Sequence, residues 1–149
     1  MKSTRTTLAA AFLLFALSTA QAQFQSAPTA EGRLDQPSAA ADERGYRKDG
    51  ARHLYAAYGK HIWKGKLKPN LYGVAVVKTH IDASGSVREV EIVRPPAAPE
   101  VGPWVTEMIR RASPFPAPGR LGGVAYTETC PVDKSGRFQL DPLTDGPLS

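Results

Sequence analysis

The sequence predicts an α+β domain, a small antiparallel sheet of three to four strands packed with two helices, in the order helix, hairpin, helix, strand and a short further strand. Three observations carry this. Two segments repeat apolar residues at the spacing of an amphipathic helix. Three others are β-branched or alternate with period two. Two tetrapeptides of one form, Asp82-Ala83-Ser84-Gly85 and Asp133-Lys134-Ser135-Gly136, mark tight turns between strands. With 149 residues, 42% of them hydrophobic and 22% charged, the chain accommodates one such domain, placed at residues 47–141, and no second.

Ahead of the domain, Lys2 and Arg5 give a basic start and residues 8–17 are ten apolar residues without interruption. Ala20-Gln21-Ala22 then supplies the small-x-small pattern of a signal-peptidase site. Residues 1–22 are therefore expected to be a cleaved signal peptide, cut before Gln23. A retained anchor is the rival reading, but the apolar run is half of the about 20 residues that span a bilayer. No cysteine stands at the junction to carry a lipid, so the mature chain is expected free of a membrane anchor. Residues 23–46 are rich in Ala, Gln, Pro, Ser and charge, with Phe24 and Leu34 as the large apolar residues, and are expected to form a disordered leader. Residues 142–149 are expected to be a disordered tail.

The first helix is read from Ala51, Leu54, Tyr55, Tyr58 and Ile62, with Asp49 as its cap, Trp63 ending the stripe and Gly65 closing it. Pro69-Asn70 turns the chain into a strand over 73–81, where Val74, Ala75, Val76 and Val77 precede alternating Lys78 and His80. The Asp82 turn leads to a second strand over 87–93, stopped by Arg94-Pro95-Pro96. Val101, Trp104, Val105, Met108, Ile109 and Ala112 form the cleanest helical stripe, ending at Ser113-Pro114, after which Phe115 is expected to insert into the core as a peg. Residues 124–130 read as a third strand of ambiguous faces, because Glu128 shares a side with Val124, Tyr126 and Cys130. A short last strand, with Phe138 and Leu140 on one face, is expected to fold back on it.

The residues offer little chemistry. Removing Lys2 and Arg5 lowers the formal charge from +5 to +3, and the remaining basic residues are interleaved with acids, so nucleic acid is not expected as a partner. His53, His61 and His80 lack the spacing of a zinc site. Gly119-Arg120-Leu121-Gly122-Gly123 lacks the lysine and hydroxyl of a phosphate loop. Glu89 and Glu91 share an exposed strand face and read as solvated carboxylates. No cofactor, metal or catalytic group is expected, and the chain is not expected to be an enzyme. Cys130, the single cysteine, permits no internal disulfide; it reads either as a small residue half-buried at a strand end or as a thiol open to an intermolecular bridge. What a sheet of few strands does offer is an open edge, where an extended peptide adds through main-chain hydrogen bonds.

The order of elements resembles the C-terminal domain of the TonB energy transducers and the related TolA-like domains of the Gram-negative envelope. The resemblance rests on Gly73-Val74-Ala75-Val76-Val77 leading to Ile81-Asp82-Ala83-Ser84-Gly85-Ser86-Val87, then Val90-Glu91-Ile92, Arg110-Arg111-Ala112-Ser113-Pro114-Phe115-Pro116 and a closing strand. It implies a periplasmic module, linked to transmembrane transport, that grips an extended segment of an outer-membrane receptor or another envelope protein. By position, the gripping strand is Val124, Ala125, Tyr126, Thr127, Glu128 and Thr129. The transducers keep a histidine-bearing membrane helix and a proline-rich spacer. Residues 1–22 contain no histidine and residues 23–45 hold only Pro28 and Pro37, so force transmission is not expected. The alternative reading is a TolA-like envelope scaffold without a transport role. The same open edge would also admit strand exchange with a second copy.

Overall fold

The computed structural model describes residues 24–67 and 70–143; the expected signal peptide and all but the first two residues of the expected tail lie outside them. The fold is α+β. Helices α1 (Glu43–Ala57) and α2 (Val101–Arg111) pack on a three-stranded antiparallel sheet of β1 (Gly73–Ile81), β2 (Val87–Arg94) and β3 (Val124–Val132), ordered β2-β1-β3. β1 is central and shows the period-two burial of a strand covered on one face: Ala75, Val77, Thr79 and Ile81 are buried, while Val74, Val76, Lys78 and His80 are half-buried on the other. Both helices line the covered face, where Leu54, Val105, Met108 and Ile109 join Val77, Tyr126 and Cys130 in one core.

Asp42, not Asp49, begins α1. Its Oδ1 accepts the Gly45 N–H at 2.8 Å, and Glu43 places a negative charge on the first turn. Asp49 lies inside the helix, where it accepts the Ser38 hydroxyl (2.6 Å) and pairs with Arg52 (3.0 Å). The helix also stops short of Trp63. Tyr58 leaves the helical region (φ −128°), its hydroxyl donates to the Met108 carbonyl at 2.6 Å, and a 3-10 turn Gly59–His61 follows. Residues 61–65 are claimed by a tertiary partner: Phe138 N–H donates to His61 O (2.8 Å), Trp63 N–H donates to Phe138 O (3.3 Å), and Gln139 Nε2 donates to the carbonyls of Trp63 (2.9 Å) and Gly65 (2.6 Å). A glycine is required at 50, because a Cβ there would stand 2.7 Å from the Tyr126 hydroxyl; α1 lies close on β3 at this point.

Residues 24–42, expected as a disordered leader, run instead as an extended strap over the domain. Phe24 is 5% exposed, stacked on Tyr72 and edge-on to Trp104 with ring centroids 5.3 and 5.4 Å apart. Glu31 N–H donates to Ala57 O (2.8 Å), Leu34 N–H to His53 Nδ1 (3.1 Å) and Ser38 N–H to Ala117 O (2.9 Å). Composition indicated too little apolar area to order this segment; one buried aromatic and main-chain bonds to elements already formed supply what composition does not count.

The two Asp-x-Ser-Gly turns share their chemistry. Oδ1 of Asp82 accepts the N–H groups of Ser84 and Ser86, Oδ1 of Asp133 accepts those of Ser135 and Arg137, and Gly85 and Gly136 take positive φ. Phe115 is the expected peg, buried against the His53 ring (4.6 Å) with its N–H on Gly85 O (2.8 Å). The fourth strand does not form as a ladder. Phe138 bridges only Val132 before crossing to Ile62, and Gln139 N–H reaches Pro131 O at 3.3 Å.

Candidate functional site

β3 is one outer edge of the sheet, and residues 124–129 are its first six. Its partner on one side is β1, in an unbroken register from Ile81 opposite Val124 to Gly73 opposite Val132. On the other side, among the described residues, the C-terminal segment reaches only Pro131 and Val132. Because the Pro131 carbonyl points outward to Gln139, alternation along the strand turns the main-chain groups of Thr129, Thr127 and Ala125 outward as well. Tyr126, Glu128, Cys130 and Val132 face the core.

Glu128 is therefore an acid on the covered face, opposite Val77 and 1% exposed. Its Oε1 accepts the outward Thr129 N–H (3.0 Å) and a guanidinium N–H of Arg47 from α1 (3.2 Å); Arg47 also donates to Asp141 Oδ2 (2.7 Å). Glu128 Oε2 and Arg47 Nε are buried without a hydrogen-bond partner among the described residues. Burial raises the Glu128 pKa to about 7, against the opposing pull of Arg47 and the Thr129 amide. For Arg47, burial works against the charge, and Glu128 and Asp141 outweigh it, so its pKa is raised. The triad ties α1, β3 and the last 3-10 turn Asp141–Leu143 together just under the edge. Beyond the edge, Asp42, Glu43, Arg44, Arg47 and Thr127 line a groove of about 420 Å³.

The opposite edge is chemically different. β2 exposes Arg88, Glu89, Glu91 and Arg94 along its length, with Glu91 on His80 at 3.0 Å, and it also shows Ile92 (40% exposed) and Val93 (57%). Charged side chains along an edge oppose pairing with another chain. The outward-turned positions of β3, Ala125, Thr127 and Thr129, carry no charge.

The remaining candidates are dispersed. His53 is buried between Leu34 N–H and the Ala112 carbonyl (Nε2 to O 2.7 Å), His61 is half-buried in the 3-10 turn, and His80 lies on the uncovered face of β1. No group of three or more His, Cys, Asp or Glu stands together to hold a metal among the described residues. Cys130 is fully buried, and burial pushes its thiol up, so of the two readings of this residue the fold places it in the core. Sequence reasoning missed Arg47 and Asp141, whose roles arise only when α1 and the C-terminal turn meet β3; the one sequence signal was an acid at an inward strand position.

No family model matches the chain, and no curated protein or solved structure is similar to it at a significant level.

Proposed function

We propose that this chain is an exported protein-interaction module of the TonB C-terminal kind, acting in the periplasm in outer-membrane transport or envelope energy transduction. It takes up an extended segment of an outer-membrane receptor, or of another envelope protein, as an added strand along β3. The observation that carries the reading is the outer edge of β3 at Ala125, Thr127 and Thr129, positions that carry no charge, have no strand partner among the described residues and stand beside the groove at Thr127. Strand addition needs free main-chain donors and acceptors and room for alternate side chains, and this edge supplies both. It needs no catalytic constellation. The charges along β2 disfavour the same use of the other edge.

The test is binding of immobilised periplasm-facing receptor peptides to the folded protein, with amide exchange followed residue by residue. Slowed exchange at Ala125 and Thr127 on binding is the expected result. Binding without protection of these two amides, or no binding by any extended peptide, rejects strand addition at β3. A scaffold role of the TolA kind would then have to rest on another surface.

A further inference from the structure

A second cleft, of about 430 Å³, lies at the far end of α1 from the groove at Asp42 and is lined by Gly59, Lys60, Ile62, Trp63, Lys64 and Arg137. Arg137 is distant in sequence and is brought here by the pairing of Phe138 and Gln139 with residues 61–65, whose hydrogen bonds fix the backbone of both walls. The charged side chains of the lining are all donors: two ammonium groups and a guanidinium. No carboxylate lines the cleft among the described residues. Lys64 and Arg137 are exposed and have no ion-pair partner among the described residues. Lys60 meets Glu31 at 3.1 Å in a pair whose side chains are both more than half exposed, and such surface pairs hold weakly. Trp63 is buried, its Nε1 out of reach of solvent and without an acceptor among the described residues.

A wall of donors selects an acceptor-rich anion. Three cations together suit a group with more than one negative charge, and the planar fork of an arginine matches phosphate oxygens. The volume falls in the range of small-molecule sites and exceeds what a bare ion fills, while Ile62 and Trp63 offer an apolar wall for the remainder. We infer that this cleft binds a phosphate group carried on a small organic moiety, the phosphate held by Lys60, Lys64 and Arg137 and the organic part lying against Ile62 and Trp63. Such a group is presented either by a soluble phosphate ester or by the headgroup of an anionic phospholipid.

The test has two arms, each run on the full chain and on a Lys64→Ala/Arg137→Ala double variant. In the first, isotope-labelled protein is titrated with glycerol phosphate while the Trp63 indole and the Gly59 and Gly65 amides are followed by NMR. In the second, the protein is sedimented with vesicles of phosphatidylglycerol mixed into phosphatidylcholine, against phosphatidylcholine alone. Saturable binding in either arm, weakened about fivefold or more in the variant and by added salt, supports the inference. The arm that responds identifies the source of the phosphate. Both substituted side chains are exposed, so resonances remote from the cleft report that the variant stays folded. The inference is overturned if neither arm shows saturable binding at tens of millimolar phosphate ester or at high vesicle loading, or if the variant binds as the parent chain does.

Discussion

Glu128→Gln separates two accounts of the acid beneath the β3 edge. In one, the pair with Arg47 stabilises the fold; in the other, the ionised carboxylate is a burden that the fold tolerates. The geometry favours the second. Arg47 reaches Oε1 at 3.2 Å while Oε2 is buried without a partner among the described residues, and one incompletely satisfied ion pair does not offset the desolvation of a carboxylate. The pKa in the fold, about 7, stands above the ordinary value of 4.5. The folded state therefore holds the proton more tightly than the unfolded chain. Stability from this group is fully present below about pH 4.5 and is lost as pH rises through about 7. The difference in pKa corresponds to about 3 kcal/mol. In the glutamine variant the amide oxygen can keep the Thr129 and Arg47 contacts while the group in place of Oε2 carries no charge. Urea unfolding of both proteins across this range measures the difference, in which titrations common to both cancel. The stability of the variant relative to the parent is expected to rise by about 3 kcal/mol from about pH 4.5 to about pH 8. A difference that stays flat refutes the reasoning, and one that falls as pH rises refutes it and shows the ionised pair to be net stabilising.

Two further outcomes concern the strap. Phe24→Ala removes a ring packed on Tyr72 and Trp104 and is expected to destabilise by about 3 kcal/mol, read as a lowered urea midpoint; an unchanged midpoint would mean that the strap contributes nothing to the fold. His53 is held neutral, chiefly by burial, with the Ala112 carbonyl pulling the other way, and its Nδ1 accepts the Leu34 N–H. With a pKa depressed in the fold, its contribution is present above about pH 6.5 and lost on acidification. The Leu34 amide, corrected for its intrinsic exchange rate, should lose protection as pH falls below that value, and constant protection would remove His53 from this role.

Legibility in the sequence followed the range of the forces involved. The stripe from Val101 to Ile109 and the two aspartate turns were readable because their determinants lie within a few residues of one another. The start of α1 was not, since Asp42 and Asp49 are both competent caps and the choice depends on Ser38 of the strap engaging Asp49. The end of α1 was set by Phe138, far along the chain, competing for the main chain after Tyr58. Glu128 was visible as an anomaly, a charge in register with Tyr126 and Cys130, yet only the pairing with β1 opposite Val77 assigns that face to the core. The cationic cleft was hidden for the same reason. Lys60 and Lys64 are local, whereas Arg137 joins them through tertiary pairing, and a basic residue count interleaved with acids cannot show that.

The β3 edge also limits what strand addition can achieve by main-chain pairing alone. The Thr129 N–H is already held by Glu128, and the Pro131 carbonyl is taken by Gln139, so the readily available groups are the N–H and C=O of Ala125 and Thr127 and the C=O of Thr129. They support about five ladder bonds, each contributing roughly 0.5–1.5 kcal/mol net. The sum, about 2–8 kcal/mol, must offset the ordering of an extended peptide as well as the loss of its overall freedom, and it leaves millimolar affinity at best. Selective binding on the proposed function therefore has to come from side chains entering the groove among Asp42, Glu43, Arg44 and Arg47. That wall carries both signs, acidic at Asp42 and Glu43 and basic at Arg44 and Arg47, so a peptide that binds through β3 should place a basic residue toward Asp42 and Glu43 and an acidic one toward Arg44. Reversing those two charges in an otherwise identical peptide should abolish binding, whereas equal binding by both would mean that the groove takes no part in recognition.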